Sequence, residues 1–563
     1  MMSKKIFAIV FLLILFGPTF TENSAMGQNN QQQSYCPQTV EKKYCHKVII
    51  IGAGMAGLGA ANELKSNGFD ALILESSPAK LVGGRVITEN DSRTHYIPID
   101  LHASEIAGTI GNPITELAQK YNSSILQTWN NYTYYDHKGL IGNPQISNNL
   151  NNVWSKFTKW LHVYRIGKTE DESLQIAINK FNDTLGENDK KSFSYDVSSY
   201  IGNTYADDAK YLSLLYWDKI GYIVGGPSGT ISVFANGFAS IPEHLASDLG
   251  NGSIQYNTLV TKISYGQNGV QIDTKGGPSY YGKYVICTIP TYLLQGDHPS
   301  ITFDPALPQN KTDAINKMLM GTLTQTYILF NKTAMPANFW NSTTDYVSYV
   351  PPMTETGHWT LFMNLYKTKH QPLLLAWNYG DYARQMLTEP EYQIKQEMSN
   401  VFKIMNGSNN FDTKSITILY KGAKYDYSTS PIGFKVPNDF DMLASPVADN
   451  NGTNRVFFAG EATTWHYPAT TDGAFLTGLR EANRVMVTDT GKYPNPLEQE
   501  NNWRYPPDPN GKHTWLTFPE YVMCKPGHTL VLKNDAQKTP ICVNPDMVES
   551  LFDKHLIINP TLP

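Results

Sequence analysis

The chain has 563 residues, 41% of them hydrophobic and 12% aromatic, with a net charge of −5 at pH 7. That length accommodates two or more domains around a large core. The slight acidity gives no reason to expect a nucleic-acid partner.

Lys4 and Lys5 precede an apolar run, Ile6 to Phe16, and then Gly17-Pro18. The run is too short for a hydrocarbon layer that needs about 20 apolar residues, and it fits the core of a signal peptide. Residues 1–25 are therefore expected to be a leader and 26–46 a linker, with the polar tract Asn29 to Ser34 inside it. No further membrane span is expected. Export also agrees with the sequons scattered from Asn90 to Asn451 and with two local cysteine pairs, Cys36/Cys45 and Cys524/Cys542. The expected location is secreted, extracytoplasmic or at the cell surface. Cys287, inside an apolar strand-like run, reads as a free buried thiol, and no Cys/His spacing suits a metal.

The first motif follows directly. Val48 to Ile51 is uniformly apolar and β-branched, as a central parallel strand requires, and runs into Gly52-Ala53-Gly54-Met55-Ala56-Gly57. Gly52 permits a tight turn, Gly54 admits a pyrophosphate to the backbone, and Gly57 lets the next helix pack closely. The helix start at Met55 and Ala56 offers free N–H groups to phosphate. A second strand, Ala71 to Leu74, ends in Glu75, placed to accept ribose hydroxyls. Gly83-Gly84-Arg85 adds an open backbone and a guanidinium fork for the pyrophosphate.

At this point the chain resembles the flavin-containing amine oxidase superfamily, which includes monoamine oxidases, polyamine oxidases and histone lysine demethylases. The resemblance runs from about Lys47 to Val487. It implies an α/β fold in which a Rossmann-like FAD-binding domain (47–105, 225–290 and 451–492) is interleaved with an α+β substrate-binding domain (106–224 and 291–450). Residues 493–563 are expected to form an extension with a cysteine hairpin, to which the resemblance does not reach.

Continuing along the chain, a helix is expected from Asn236-Gly237-Phe238 to Leu249, then strands at Leu259 to Ile263, Val270 to Thr274 and Tyr284 to Thr288. The resemblance gives the Val260 backbone an adenine-clamping role. It sets Gly460 and Glu461, at the end of Phe457 to Glu461, beside the ribityl–pyrophosphate stretch. Asp472, Gly473 and Ala474 open a helix whose N-terminus faces the flavin, and Tyr467 stands in front of it. No cysteine lies between Lys421 and Arg455, so the FAD is expected to be non-covalent.

The substrate side departs from the family pattern. An ungapped alignment of Gly321 to Phe330 sets Gln325 where relatives carry a lysine that holds a water near the flavin. Gln325 can hold water but brings no charge to assist oxygen reduction. Lys311 and Lys317 are expected to point elsewhere. Met363 occupies a tryptophan position, Tyr425 to Phe434 replaces a tryptophan-containing segment, and His102 and Glu105 alter the flavin-facing loop. Glu105, Asp218 and Asp381 are conceivable anchors for a cationic amine, though a solvated or capping role suits each better. The expected activity is oxidation of a small-molecule amine by hydride transfer to flavin, with oxygen or another compound as electron acceptor. Rival readings are an amino-acid oxidase, desaturase or isomerase on the same fold, and a non-catalytic FAD-binding surface protein.

Overall fold

The computed structural model describes residues 35–491, apart from 111, 129–130, 142, 220–229, 297–298, 332–342, 351–354, 356, 407–410, 437 and 466, together with 529–532, 534 and 540–557. The expected leader, residues 26–34 of the linker and Cys524 lie outside the described residues. Along the chain, β1 (Cys45–Ile51), α1 (Met55–Ser66) and β2 (Ala71–Leu74) come first. Then come β3 (Tyr132–Asp136), α2 (Asn143–Arg165), α3 (Leu174–Asn182), α4 (Glu187–Asp196) and α5 (Ser240–Leu249). A second run holds β4 (Val260–Gly266), β5 (Gly269–Thr274), β6 (Tyr280–Cys287), α6 (Gln309–Lys317) and β7 (Leu319–Phe330). Next are β8 (Tyr346–Tyr349), β9 (Leu361–Asn364), β10 (Leu373–Tyr379), α7 (Gly380–Thr388) and α8 (Glu391–Asn406). Before the extension come β11 (Ile416–Thr429), α9 (Asn438–Ala444), β12 (Asn454–Phe458) and α10 (Thr471–Thr490).

The first sheet joins both ends of the chain. β6 lies parallel to β1 on one edge and, on the other, meets β5 antiparallel and then β12 parallel. β2 extends the sheet beyond β1. The uninterrupted apolar run of β1 reflects burial on both faces. Val48 and Ile50 pack with α1 and α10, while Ile49 and Ile51 point to a second cluster with Ile263, Ile272 and Val285. α1 and α10 cross at backbone contact: a Cβ on Gly478 would lie 2.1 Å from the Ala56 carbonyl oxygen. The disulfide Cys36–Cys45 fastens the incoming segment to the first residue of β1.

The second sheet has β11, β7, β10, β9, β8 and β3 in that order, with the short strand Gly139–Ile141 at the edge beyond β3. α8 covers one face, where Ile394, Met398 and Phe402 pack against Ile328, Phe330 and Phe362. The opposite face carries Leu323, Tyr327, Tyr346, Met363 and Trp377. Helices α2, α3 and α4 form a separate aromatic core around Phe157, Phe181 and Phe193.

The helix expected from Asn236 begins instead at Ser240. Gly237 turns with φ +99°, and the N–H groups of Phe238 and Ala239 are taken by the Asp100 carboxylate and the Thr88 hydroxyl. Donors satisfied from outside need no helical turn of their own. In the extension, Thr529–Leu532 and Pro540–Val543 pair as a hairpin, and Val531, Val543, Val548 and Ile557 gather beneath it. The expected Cys524/Cys542 pairing lies outside the described residues.

Candidate functional site

The turn after β1 is closed by its own backbone. Gly52 has φ +102°, a region costly for any residue with a Cβ. A Cβ on Gly57 would sit 1.9 Å from the Gly52 carbonyl oxygen. Gly57 is therefore required by the turn itself, more than by the helix-to-sheet packing expected of it. A Cβ on Gly54, by contrast, would meet nothing within 4 Å. Bare backbone facing open space at a helix N-terminus is what a pyrophosphate needs, so this part of the chain fits FAD. Met55 and Ala56 supply the first helical N–H groups.

Glu75 is 8% exposed and oriented by two backbone donors, Ala53 N–H at 2.6 Å and Ser77 N–H at 2.7 Å. These bonds hold a carboxylate at the strand end with acceptor capacity left for ribose hydroxyls. The Thr258 N–H donates to the Glu75 carbonyl at 2.8 Å, which brings Val260, at the start of β4, alongside. Gly83 donates to the Ala53 carbonyl at 2.9 Å, so Gly83, Gly84 and Arg85 close over the cradle.

Arg85 joins the front of the chain to its back: its guanidinium contacts the Glu461 carboxylate at 3.3 Å. Glu461 also accepts from the Ala469 N–H at 2.9 Å. The loop Gly460 to Thr463 is gripped by α10. Thr477 accepts from the Gly460 N–H at 3.0 Å, and Arg480 donates to the carbonyl and hydroxyl of Thr463. Thr470 caps α10 by accepting from Gly473 N–H, with Asp472, Gly473 and Ala474 in the first turn. Tyr467 is fully buried one turn earlier, and its carbonyl lies 2.0 Å from where a Gly473 Cβ would be. Thr477 and Arg480 were not singled out in sequence; only their fixed spacing from Gly460-Glu461 could have flagged them.

The same contacts reach the second sheet. Ala103 N–H donates to the Arg85 carbonyl at 3.2 Å, bringing the loop Asp100 to Glu105 over the cradle. From β7, Gln325 donates to the His102 carbonyl at 2.9 Å and to Ser104 Oγ at 3.0 Å. Gln325 is fully buried and its Oε1 has no partner among the described residues, which suits a bound water. Tyr327 donates to the Asp100 carbonyl and Tyr346 to the Glu105 carboxylate. Met363 is buried on this face of the sheet.

The nearby lysines are engaged elsewhere. Lys311 Nζ donates to the carbonyls of Met442, Leu443 and Ser445 at the end of α9, and burial pulls it down to about 7. Lys317 pairs with Asp439 at 3.7 Å. Of the three candidate anchors, Asp218 is paired with Arg165 at 2.7 Å, and Asp381, in the first turn of α7, with Lys210 and Arg384. Only Glu105 reaches the loop beside Gln325. Cys287 is a buried free thiol at the end of β6, pushed up to about 11 by burial. Among the described residues no cluster of His, Cys, Asp or Glu could hold a metal, and no helix is long and apolar enough to cross a membrane.

The family described as flavin containing amine oxidoreductase matches residues 55–486. The chain is 31% identical over 456 residues to FLOWERING LOCUS D of Arabidopsis thaliana, covering 77% of this chain and 54% of that protein. It is 29% identical over 465 residues to lysine-specific histone demethylase 1 homolog 3 of Oryza sativa subsp. japonica, covering 78% and 54%. With lysine-specific histone demethylase 2 of Homo sapiens the identity is 27% over 469 residues, covering 79% and 54%. The chain spans about half the length of the curated relatives it matches.

Proposed function

The chain belongs to the flavin-containing amine oxidoreductase family, and from that premise we propose that it is an exported enzyme oxidising a small amine on non-covalently held FAD. The observation that carries this reading is the unbroken chain of contacts from Glu461 through Arg85 and Ala103 to Gln325. It makes one site of an anion cradle, a helix N-terminus and a buried amide.

Bound in the cradle, FAD supplies the two-electron acceptor. Glu75 would hold the ribose, and Gly54, Met55 and Arg85 the pyrophosphate. The first turn of α10 would favour negative charge developing at its end. Tyr467 borders the amine, and buried neighbours favour the neutral amine whose C–H bond breaks with loss of a hydride. Gln325 keeps a water at hand through Oε1. Water then adds to the free imine, which yields a carbonyl compound and a released amine or ammonia. With oxygen as final acceptor the second product is hydrogen peroxide. Because Gln325 is uncharged, a different electron acceptor is an equal candidate.

The absence of cysteine between Lys421 and Arg455 supports non-covalent binding. Export is supported by the basic and apolar run at residues 4–16 and by the Cys36–Cys45 disulfide. It is further supported by the exposure of the sequon residues Asn90, Asn122, Asn131, Asn251, Asn310, Asn331 and Asn451. The relatives' names put lysine side chains among the amines to test.

Purified protein is expected to be yellow, to release FAD on acid precipitation, and to be bleached anaerobically by at least one member of an amine panel. Flavin that no amine reduces would refute the proposal.

A further inference from the structure

A groove of about 630 Å³ lies at the β2 end of the first sheet. There the two-residue strand Ile254–Gln255 pairs with β2, and the sheet stops. The walls come from three places: the turn after α5, the turn between β5 and β6, and the entry segment fastened by the Cys36–Cys45 disulfide.

Those walls are aromatic and polar, with little net charge. Tyr44 sets its ring edge-on to the buried Tyr280, with centroids 5.5 Å apart. Gln255 and Asn257 are exposed, and neither side-chain amide has a partner among the described residues. Of the cations on the lining, Lys43 pairs with Glu41 at 2.9 Å and His46 with Asp70 at 3.0 Å. Only the Lys275 ammonium is left over among the described residues. One spare charge is little for an anion. Amides that both donate and accept, beside a tyrosine wall, suit the hydroxyls and C–H faces of a saccharide. Bare backbone leaves room for one: a Cβ on Gly252 or on Gly276 would meet nothing within 4 Å.

The chain supplies a sugar attachment point at the rim. Asn251-Gly252-Ser253 is an N-glycosylation acceptor, and it forms the turn that carries α5 into the strand Ile254–Gln255. Asn251 is exposed, and its neighbour Gly252 already lines the groove.

We propose that Asn251 carries an N-linked oligosaccharide whose first sugars lie in this groove, over the last strand of the sheet. This rests on the export proposed above. In the transfer, Asn251 Nδ2 bonds to C1 of an N-acetylglucosamine and gives up a proton. The C1–O bond to a lipid-linked diphosphate breaks, and the diphosphate leaves. Seated there, the sugar covers a sheet edge that is otherwise open to pairing with another chain. It also braces the nucleotide side: the Gln255 carbonyl accepts from the Glu75 N–H at 2.8 Å, and the Thr258 N–H donates to the Glu75 carbonyl.

The test is made on the full chain, secreted from cultured mammalian cells behind its own first residues and loaded with FAD. Glycopeptide mass spectrometry is expected to find Asn251 occupied. Peptide N-glycosidase should release that glycan from the native protein at least tenfold more slowly than those at Asn90 or Asn451. In Asn251→Gln, hydrogen exchange at Ile254–Thr258 should quicken at least threefold. Gln255→Ala should keep the occupancy and lose the slow release. Sugar at Asn90 or Asn451 with Asn251 bare would overturn this inference alone, whereas a chain with no sugar at any sequon removes the export reading with it. A glycan at Asn251 released as fast as the others would overturn its seat in the groove. Exchange unchanged in Asn251→Gln would give the groove to another occupant and overturn it equally.

Discussion

Asp196→Asn should stabilise the protein, and by an amount that grows with pH. The side chain ends α4 fully buried, with no partner for either carboxylate oxygen among the described residues. In the unfolded chain the carboxyl titrates at its ordinary value of 3.8, whereas burial holds the native proton to about 8. Between those values the native state binds more protons than the unfolded one, so this group lowers stability as pH rises. Its effect is absent below pH 4 and complete above pH 8. At about 1.36 kcal/mol per unit, the shift of about four units sets a ceiling of about 5–6 kcal/mol. Relaxation and water entry typically remove about half, leaving about 2–4 kcal/mol. Asparagine keeps the shape without the charge. Urea melts of both proteins at saturating FAD, from pH 5 to pH 8, subtract every other titrating group. The advantage of Asp196→Asn should widen steadily across that range. Curves parallel to within about 0.5 kcal/mol would refute the claim that Asp196 is a dry, unpaired acid.

Gly478→Ala should separate α1 from α10, because its Cβ would lie 2.1 Å from backbone that cannot yield. A loss of about 2–3 kcal/mol is expected, with faster FAD dissociation, read by thermal melts and flavin fluorescence. Replacing Cys36 and Cys45 together by serine frees a short loop, with a sequence separation of 9, and should cost about 2.6 kcal/mol in the chain-entropy account; no change in urea midpoint would contradict it. Gln325→Lys puts an ammonium where the His102 carbonyl and Ser104 hydroxyl already accept. Stopped-flow reoxidation of the reduced protein by oxygen should speed up by about tenfold if charge is what the position lacks; an unchanged rate would argue otherwise.

The nucleotide side was legible because its constraints are local. The run Val48 to Ile51, the glycines at 52, 54 and 57, and the acid ending the next strand each act within a few residues, and the fold keeps them together. The amine side was not, because its geometry is made by packing between distant segments. Nothing near Asp196 in sequence distinguishes it from Asp218 or Asp381, and the three differ only in what the fold sets against them. Arginine and lysine neutralise two, while the third is buried with no partner for its carboxylate among the described residues. The late start of α5 has the same origin. Its capping donors are satisfied by Asp100 and Thr88, more than a hundred residues upstream.

The parallel triplet β1, β6 and β12 also has a bearing on biogenesis. Its outer members are separated by about four hundred residues, so the sheet cannot be completed until β12 has been synthesised. At about 5–20 residues per second, the first strand waits on the order of a minute for its last neighbour, with two apolar faces uncovered. A nascent chain of this design depends on chaperones through that interval, and a truncation just before Arg455 should remain a chaperone client however well its other regions fold.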